Sequence, residues 1–245
     1  AINYSAAADF PLRAGSRWAL RAGHHLQGVK VLPGPRRSLP DVESKHPGAA
    51  NLGQRLIDAA FRAALVYDSR DSKLTASRGV FAEEYAEAAR DGWISDMTYE
   101  RYGMELKGYL PLAPGSEPPI GAALQGRLER LFGSVPFWSL PSLGGKYSHR
   151  AYGDGRFVDR AAAMAQAELR FRLFRTELSG SPVSFWLDPF IGAGLVAPSF
   201  GRAASNAVRP LYGAALRAGG RPQVVGAADF GIGQEGLKVF LDLNY

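Results

Sequence analysis

Through most of this chain, side-chain polarity alternates with a period of two, in runs of about ten residues broken by turns, and no other feature restricts the fold as much. Tyr4, Ala6, Ala8 and Phe10 make one apolar face. After the turn 11–16, Trp18, Leu20, Ala22 and Leu26 oppose Arg17, Arg21, His25 and Gln27, which is a hairpin. Phe61, Ala63, Leu65 and Tyr67 then alternate with Arg62 and Asp68. Residues 80–90 are expected as a strand, although Glu83, Glu84 and Glu87 among alanines fit a solvated helix equally. Tyr102, Met104, Leu106 and Leu110 oppose Arg101, Glu105, Lys107 and Tyr109; Ala122, Leu124 and Leu128 oppose Gln125, Arg127 and Glu129. Ala165, Ala167, Leu169, Phe171 and Leu173 face one way and Gln166, Glu168, Arg170 and Arg172 the other. The last strands are 183–194, 211–219, 223–231 and 237–245.

A strand with four polar or charged residues in a row on one face needs water there, and its apolar face needs lipid or a core. The connections decide between those two. Segments 32–53, 91–98, 134–160 and 195–208 are mostly long, and 11–16, 113–119, 175–182 and 219–222 are short. Long loops on one side and short turns on the other are what a barrel inserted from one face of a membrane shows. The fold class expected is therefore all-β, a transmembrane antiparallel β-barrel, with about eleven strands in this chain. An odd count does not close an antiparallel barrel, and an open edge in lipid leaves backbone groups unpaired, so further strands are expected beyond these.

Composition removes other classes. Cysteine is absent, which excludes a disulfide framework and thiolate metal sites. The formal charge is +6, but the 29 Lys and Arg residues are scattered, mostly as single residues, rather than gathered into a basic run, so no nucleic-acid partner is expected. No apolar stretch approaches the ~18 residues of a spanning helix. The first residues, Ala1-Ile-Asn-Tyr, carry no signal-peptide pattern.

Enzymatic motifs fail on context. Gly231-Ile-Gly-Gln-Glu-Gly236 fits the dinucleotide fingerprint, but strand-like residues follow it instead of a helix; the looser match from Gly192 runs into Pro198. There is no nucleophile elbow, and His24, His25, His46 and His149 have no ligand spacing, so neither metal nor cofactor is expected. Of the histidines, only His25 lies on a clear polar strand face, as a lumenal lipase or protease would require.

Two further stretches carry a resemblance. Arg150-Ala-Tyr152 followed by Gly155-Arg156-Phe157 is similar to the loop of the BamA/TamA-like superfamily of outer-membrane barrels, where Arg-Gly-aromatic precedes Gly-Arg-aromatic. His149 and Ala151 stand where that family has a small apolar residue and glycine. Tyr67-Asp-Ser-Arg-Asp-Ser-Lys-Leu-Thr-Ala-Ser-Arg-Gly79 resembles the family's turn Tyr-Asp-Thr-Arg-Asp-Asn-Pro-Leu-Phe-Pro-Thr-Arg-Gly, the match lying in Tyr67, Asp68, Arg70, Asp71, Arg78 and Gly79. The strict alternation of Leu237, Val239, Leu241, Leu243 and Tyr245 resembles the C-terminal signal by which such barrels are recognised for assembly.

The resemblance spans residues 55–245 and implies a sixteen-stranded barrel of which these are the last eleven strands. Five strands and periplasmic domains would then precede residue 1, and residues 1–245 would be the C-terminal portion of the barrel domain. It implies that the loop folds back into the barrel, where Arg150 meets an acid. The family's acid belongs to Phe-x-Asp-x-Gly, but Phe190-Ile-Gly-Ala-Gly194 has Gly192 there, so the candidate partners are Asp188, then Glu168, then Asp229. The implied function is non-enzymatic insertion or translocation of unfolded outer-membrane or secreted proteins at the outer membrane of a Gram-negative bacterium, with accessory assembly proteins as further partners. The strand 237–245 would supply one side of the seam where substrate strands are templated. A passive porin-like channel and a dedicated two-partner secretion transporter are the alternatives.

Overall fold

The computed structural model describes residues 2–32, 53–115, 118–178, 180–204, 207–220 and 223–243. The strands are β1 (Ile2–Pro11), β2 (Trp18–Lys30), β3 (Arg55–Asp68), β4 (Gly79–Ala89), β5 (Thr98–Pro111), β6 (Ile120–Ser134), β7 (Ser142–Leu143), β8 (Phe157–Val158), β9 (Ala161–Leu178), β10 (Ser181–Ala197), β11 (Arg209–Gly220), β12 (Gln223–Gly233) and β13 (Gly236–Leu243). Eleven of them form one antiparallel sheet in chain order, β1 to β6 and then β9 to β13, with β1 and β13 at its edges. The short β7–β8 hairpin lies within the connection between β6 and β9. The long segment 32–53 falls mostly outside the described residues.

Strand register gives the sheet two unlike faces. In one row Leu20 pairs with Leu65, Leu65 with Glu84, Glu84 with Met104 and Met104 with Leu128. In another, Leu124 pairs with Ala167 and Ala167 with Ile191, and most of the large apolar side chains in both rows stand exposed. The opposite face buries Asp58, Glu83, Glu87, Glu129, Glu168, Asp188 and Asp229. Apolar side chains outside and carboxylates inside invert the arrangement of a soluble domain. Lipid against the outer face and water within resolve it. Glu84 stands on this outer face between Leu65 and Met104.

β4 settles the choice between strand and helix. Phe81, Glu83, Tyr85, Glu87 and Ala89 are buried while Val80, Glu84, Ala86 and Ala88 are exposed, a period of two along the whole element. The alanines mark the outer face too weakly for the sequence to show this.

Candidate functional site

The connection between β6 and β9 turns back over the inner wall. A 3-10 turn at Phe137–Ser139 starts it, and successive turns then fold its tip: Ser148 N–H donates to Gly145 O (3.2 Å), Tyr152 N–H to His149 O (3.1 Å) and Arg156 N–H to Gly153 O (3.2 Å). His149, Ala151 and Tyr152 are wholly buried, so the residues that depart from the family's pattern pack into the tip. Burial holds the His149 imidazole below its ordinary range, and its neutral form donates Nε2–H to the Arg209 carbonyl (2.8 Å). The Tyr152 ring meets His149 edge-on at 4.8 Å and Phe157 at 5.0 Å.

Glycines on the wall make the seat. A methyl group on Gly233 would stand 2.7 Å from the Tyr152 ring, and one on Gly194 would stand 2.7 Å from Leu143. On Gly231 it would run into the Arg150 carbonyl. The spacing that resembled a nucleotide fingerprint is a smooth wall for a loop.

Arg150 then projects among charges. Its Nη2 donates to Glu168 Oε2 (2.7 Å), Nη1 to Asp229 Oδ1 (2.9 Å) and Nε to Gln166 Oε1 (3.3 Å). The guanidinium lies 3.8 Å from the Phe190 ring centroid, and Phe190 in turn packs against Gly213. Two more arginines complete the cluster. Arg170 Nε donates to Glu168 Oε1 (2.9 Å); Arg217 reaches Glu168 Oε2 (3.1 Å) and Asp188 Oδ2 (3.3 Å). Three guanidiniums thus face Glu168, Asp188 and Asp229. With both charges of the Arg150–Glu168 pair about nineteen-twentieths buried, removing one partner is expected to cost about 3 to 5 kcal/mol.

The order of partners expected from the sequence is corrected here. Arg150 pairs with Glu168 and Asp229, and Asp188 belongs to Arg217. Arg150 stacks on Phe190, and Phe190 is the register partner of Glu168, so that carboxylate lies nearest the guanidinium. Asp188 is two residues further along β10, about 7 Å away.

The second motif is a folded knot. Asp68 takes a bidentate pair from Arg70, Nε at 2.9 Å and Nη2 at 2.8 Å. Asp71 accepts from Ser77 N–H (2.8 Å), Ser77 Oγ (2.6 Å) and Arg78 N–H (3.2 Å), and Arg78 Nη2 reaches Gly115 O (2.7 Å). Gly79 has φ +100°, and a Cβ there would collide with the Ser69 carbonyl, which is why the turn ends on glycine. Tyr67 packs on Trp18, with ring centroids 4.9 Å apart.

The loop also grips the last hairpin. Arg156 pairs with Glu235 (2.6 and 3.0 Å), Gln234 N–H donates to the Tyr152 hydroxyl (3.0 Å), and Lys146 forms an ion pair with Asp242 on β13. Gly155 turns the chain between these contacts at φ +59°. Leu237, Val239 and Leu241 stand exposed on the outer face of β13, while the Leu243 side chain and Tyr245 lie outside the described residues.

A second inner cluster escaped the sequence reading. Tyr99 hydroxyl lies 3.1 Å from Asp58 and 3.2 Å from Glu87; Ser139 Oγ donates to Asp58 Oδ2 (3.0 Å), and His25 stands 3.4 Å from Asp58. Arg101 Nη2 donates to the Ser139 carbonyl (2.5 Å) and Nη1 lies 3.6 Å from Glu129. These side chains come from five strands and a loop. Their one sequence signal is a carboxylate recurring on the polar parity of successive strands.

No curated protein matches the chain. Among solved structures, its fold is similar to the crystal structure of BamA from Haemophilus ducreyi lacking POTRA domains 1–3, with a TM-score of 0.67 at 19% identity. The match covers 98% of this chain and 52% of that one, so the chain spans about half the length of that relative. At that identity the likeness is one of fold. The Omp85 superfamily domain matches residues 2–219, which hold β1 through β11 but for its last residue, and both motifs, and the chain belongs to the Omp85 superfamily.

Proposed function

We propose that this chain is the C-terminal part of an outer-membrane barrel that inserts or translocates unfolded outer-membrane or secreted proteins in a Gram-negative bacterium, without enzymatic chemistry. The observation that carries this reading is the loop tip, with Arg150 buried in the lumen between Glu168 and Asp229. A pore for passive solutes has no use for a charge-balanced anchor that also holds the last hairpin through Arg156, Tyr152 and Lys146. A device that must move a seam strand does. β13 lies at one edge of the sheet, and in the closed barrel it would form one side of the seam at which a substrate strand would pair, since edge N–H and C=O groups template an incoming strand.

In the intact protein, Arg150→Ala should abolish most assembly or secretion activity while leaving a folded, heat-modifiable barrel. Among the described residues Asp229 makes its ion pair with Arg150 alone, so the swap Arg150→Asp with Asp229→Arg should restore part of the activity. Full activity in Arg150→Ala, with only ion conductance altered, would transfer the reading to a passive channel.

A further inference from the structure

The loop and the β3–β4 turn, separate in sequence, are joined across the lumen by three consecutive hydrogen bonds. Arg170 Nη1 donates to the Ala76 carbonyl of the turn (2.8 Å), Arg170 Nε donates to Glu168 Oε1 (2.9 Å), and Glu168 Oε2 accepts from Arg150 Nη2 of the loop (2.7 Å). Arg170 and Glu168 are i and i+2 on one face of β9, so both point inward together. Ala76 is buried although it belongs to a turn.

We propose that Arg170 is a positioning residue that couples the turn to the loop, so that displacing the turn weakens the hold on Arg150. The physical basis is competition for one carboxylate. With the turn seated, Arg170 spends Nη1 on a carbonyl and touches Glu168 through Nε only. A guanidinium released from that carbonyl gains most by presenting both arms of its fork to Glu168, since bidentate pairing is the strongest geometry available to it. Both Glu168 oxygens then face Arg170, and Arg150 loses its share of Oε2. A cavity of about 150 Å³, lined by Ala76, Arg170, Asp188 and Arg217 among others, leaves the side chain room to turn. The turn acts as a unit because Asp68–Arg70 and Asp71–Ser77 tie it internally. Coupling of this kind is reciprocal: loss of Arg150 from Glu168 frees the turn by the same factor.

The inference builds on the proposed function for its use, since a substrate arriving beneath the barrel meets the turn before the loop, but its test is independent of activity. Hydrogen exchange of the amides of 149–152 is followed in the intact, detergent-solubilised protein, for wild type, Asp71→Ala, Arg170→Lys and the double variant. Asp71→Ala unties the turn and should speed loop exchange about tenfold, the range of ordinary site-to-site coupling. Lysine at 170 keeps the charge but cannot span Ala76 and Glu168 together, so in that background Asp71→Ala should add nothing. Should Asp71→Ala not give a heat-modifiable barrel, Ser77→Ala removes one bond of the same knot and is read the same way. Loop exchange unchanged while the turn's own amides exchange faster overturns the proposal, as does an equal acceleration in both backgrounds. Loss of the assembly reading through Arg150→Ala leaves this result standing.

Discussion

The loop between β6 and β9 holds the inner wall at two stations that work by different physics. At its root, Ser139 gives a neutral hydroxyl to Asp58 and a carbonyl to Arg101, and the wall supplies every charge. At its tip, Arg150 supplies a full charge to a cluster that balances only when the loop is present: Arg150, Arg170 and Arg217 against Glu168, Asp188 and Asp229. Withdrawal of the root leaves a wall that still has His25 and Arg101 beside its acids. Withdrawal of the tip leaves buried carboxylates short of a cation. The tip is therefore the station whose occupancy the wall registers, and the root is a tether.

The largest effect is expected from Glu168→Gln, which leaves three guanidiniums around a neutral amide. Loop amides at 149–152 should lose protection worth about 3 to 5 kcal/mol, as for breaking a buried pair. Asp229→Asn should cost clearly less, because Arg150 keeps Glu168. If the two variants had equal effects, Glu168 would not be the hub that its three arginines imply.

Next in size is the seat. Gly231→Ala places a methyl against the Arg150 carbonyl, and overpacking of this kind costs about 1 to 3 kcal/mol. The measurement is the same exchange at 149–152, and root amides at 137–140 should not respond. A response at both stations would mean that the loop moves as one body.

At the root, Tyr99→Phe removes the one hydroxyl proton between Asp58 and Glu87, both buried, and should cost about 1 to 3 kcal/mol. Thermal unfolding of the detergent-solubilised barrel reads this, with loop-tip exchange unchanged.

The contrast also explains what the sequence can and cannot reveal. Strands were legible because water on one face and lipid on the other impose a period of two residue by residue, as in Leu169 and Phe171 against Glu168 and Arg170. β4 was ambiguous because Ala86 and Ala88 mark an outer face poorly. The partner of Arg150 was not legible, since it depends on the register of strands β9, β10 and β12 and on where the loop tip lands, and counting along β10 alone favoured Asp188. Ser139 belongs to no motif, so the root emerges only when four strands bring Asp58, Glu87, Tyr99 and His25 to one place. Gly231 and Gly233 were visible as a pattern, but their use as a seat requires the loop in place.

Ser139→Ala is the smallest change and the sharpest test of the comparison. It deletes one neutral hydrogen bond to Asp58 while leaving the Ser139 carbonyl on Arg101, and such a bond contributes about 1 kcal/mol. Asp58 keeps the Tyr99 hydroxyl and the nearby His25 ring, so no buried charge is stranded. Exchange at 137–140 should quicken severalfold, with amides at 149–152 and assembly activity unaltered. If instead the tip loosens with the root, the two stations are one, and the division of the loop into a tether and a charge-registering tip is wrong.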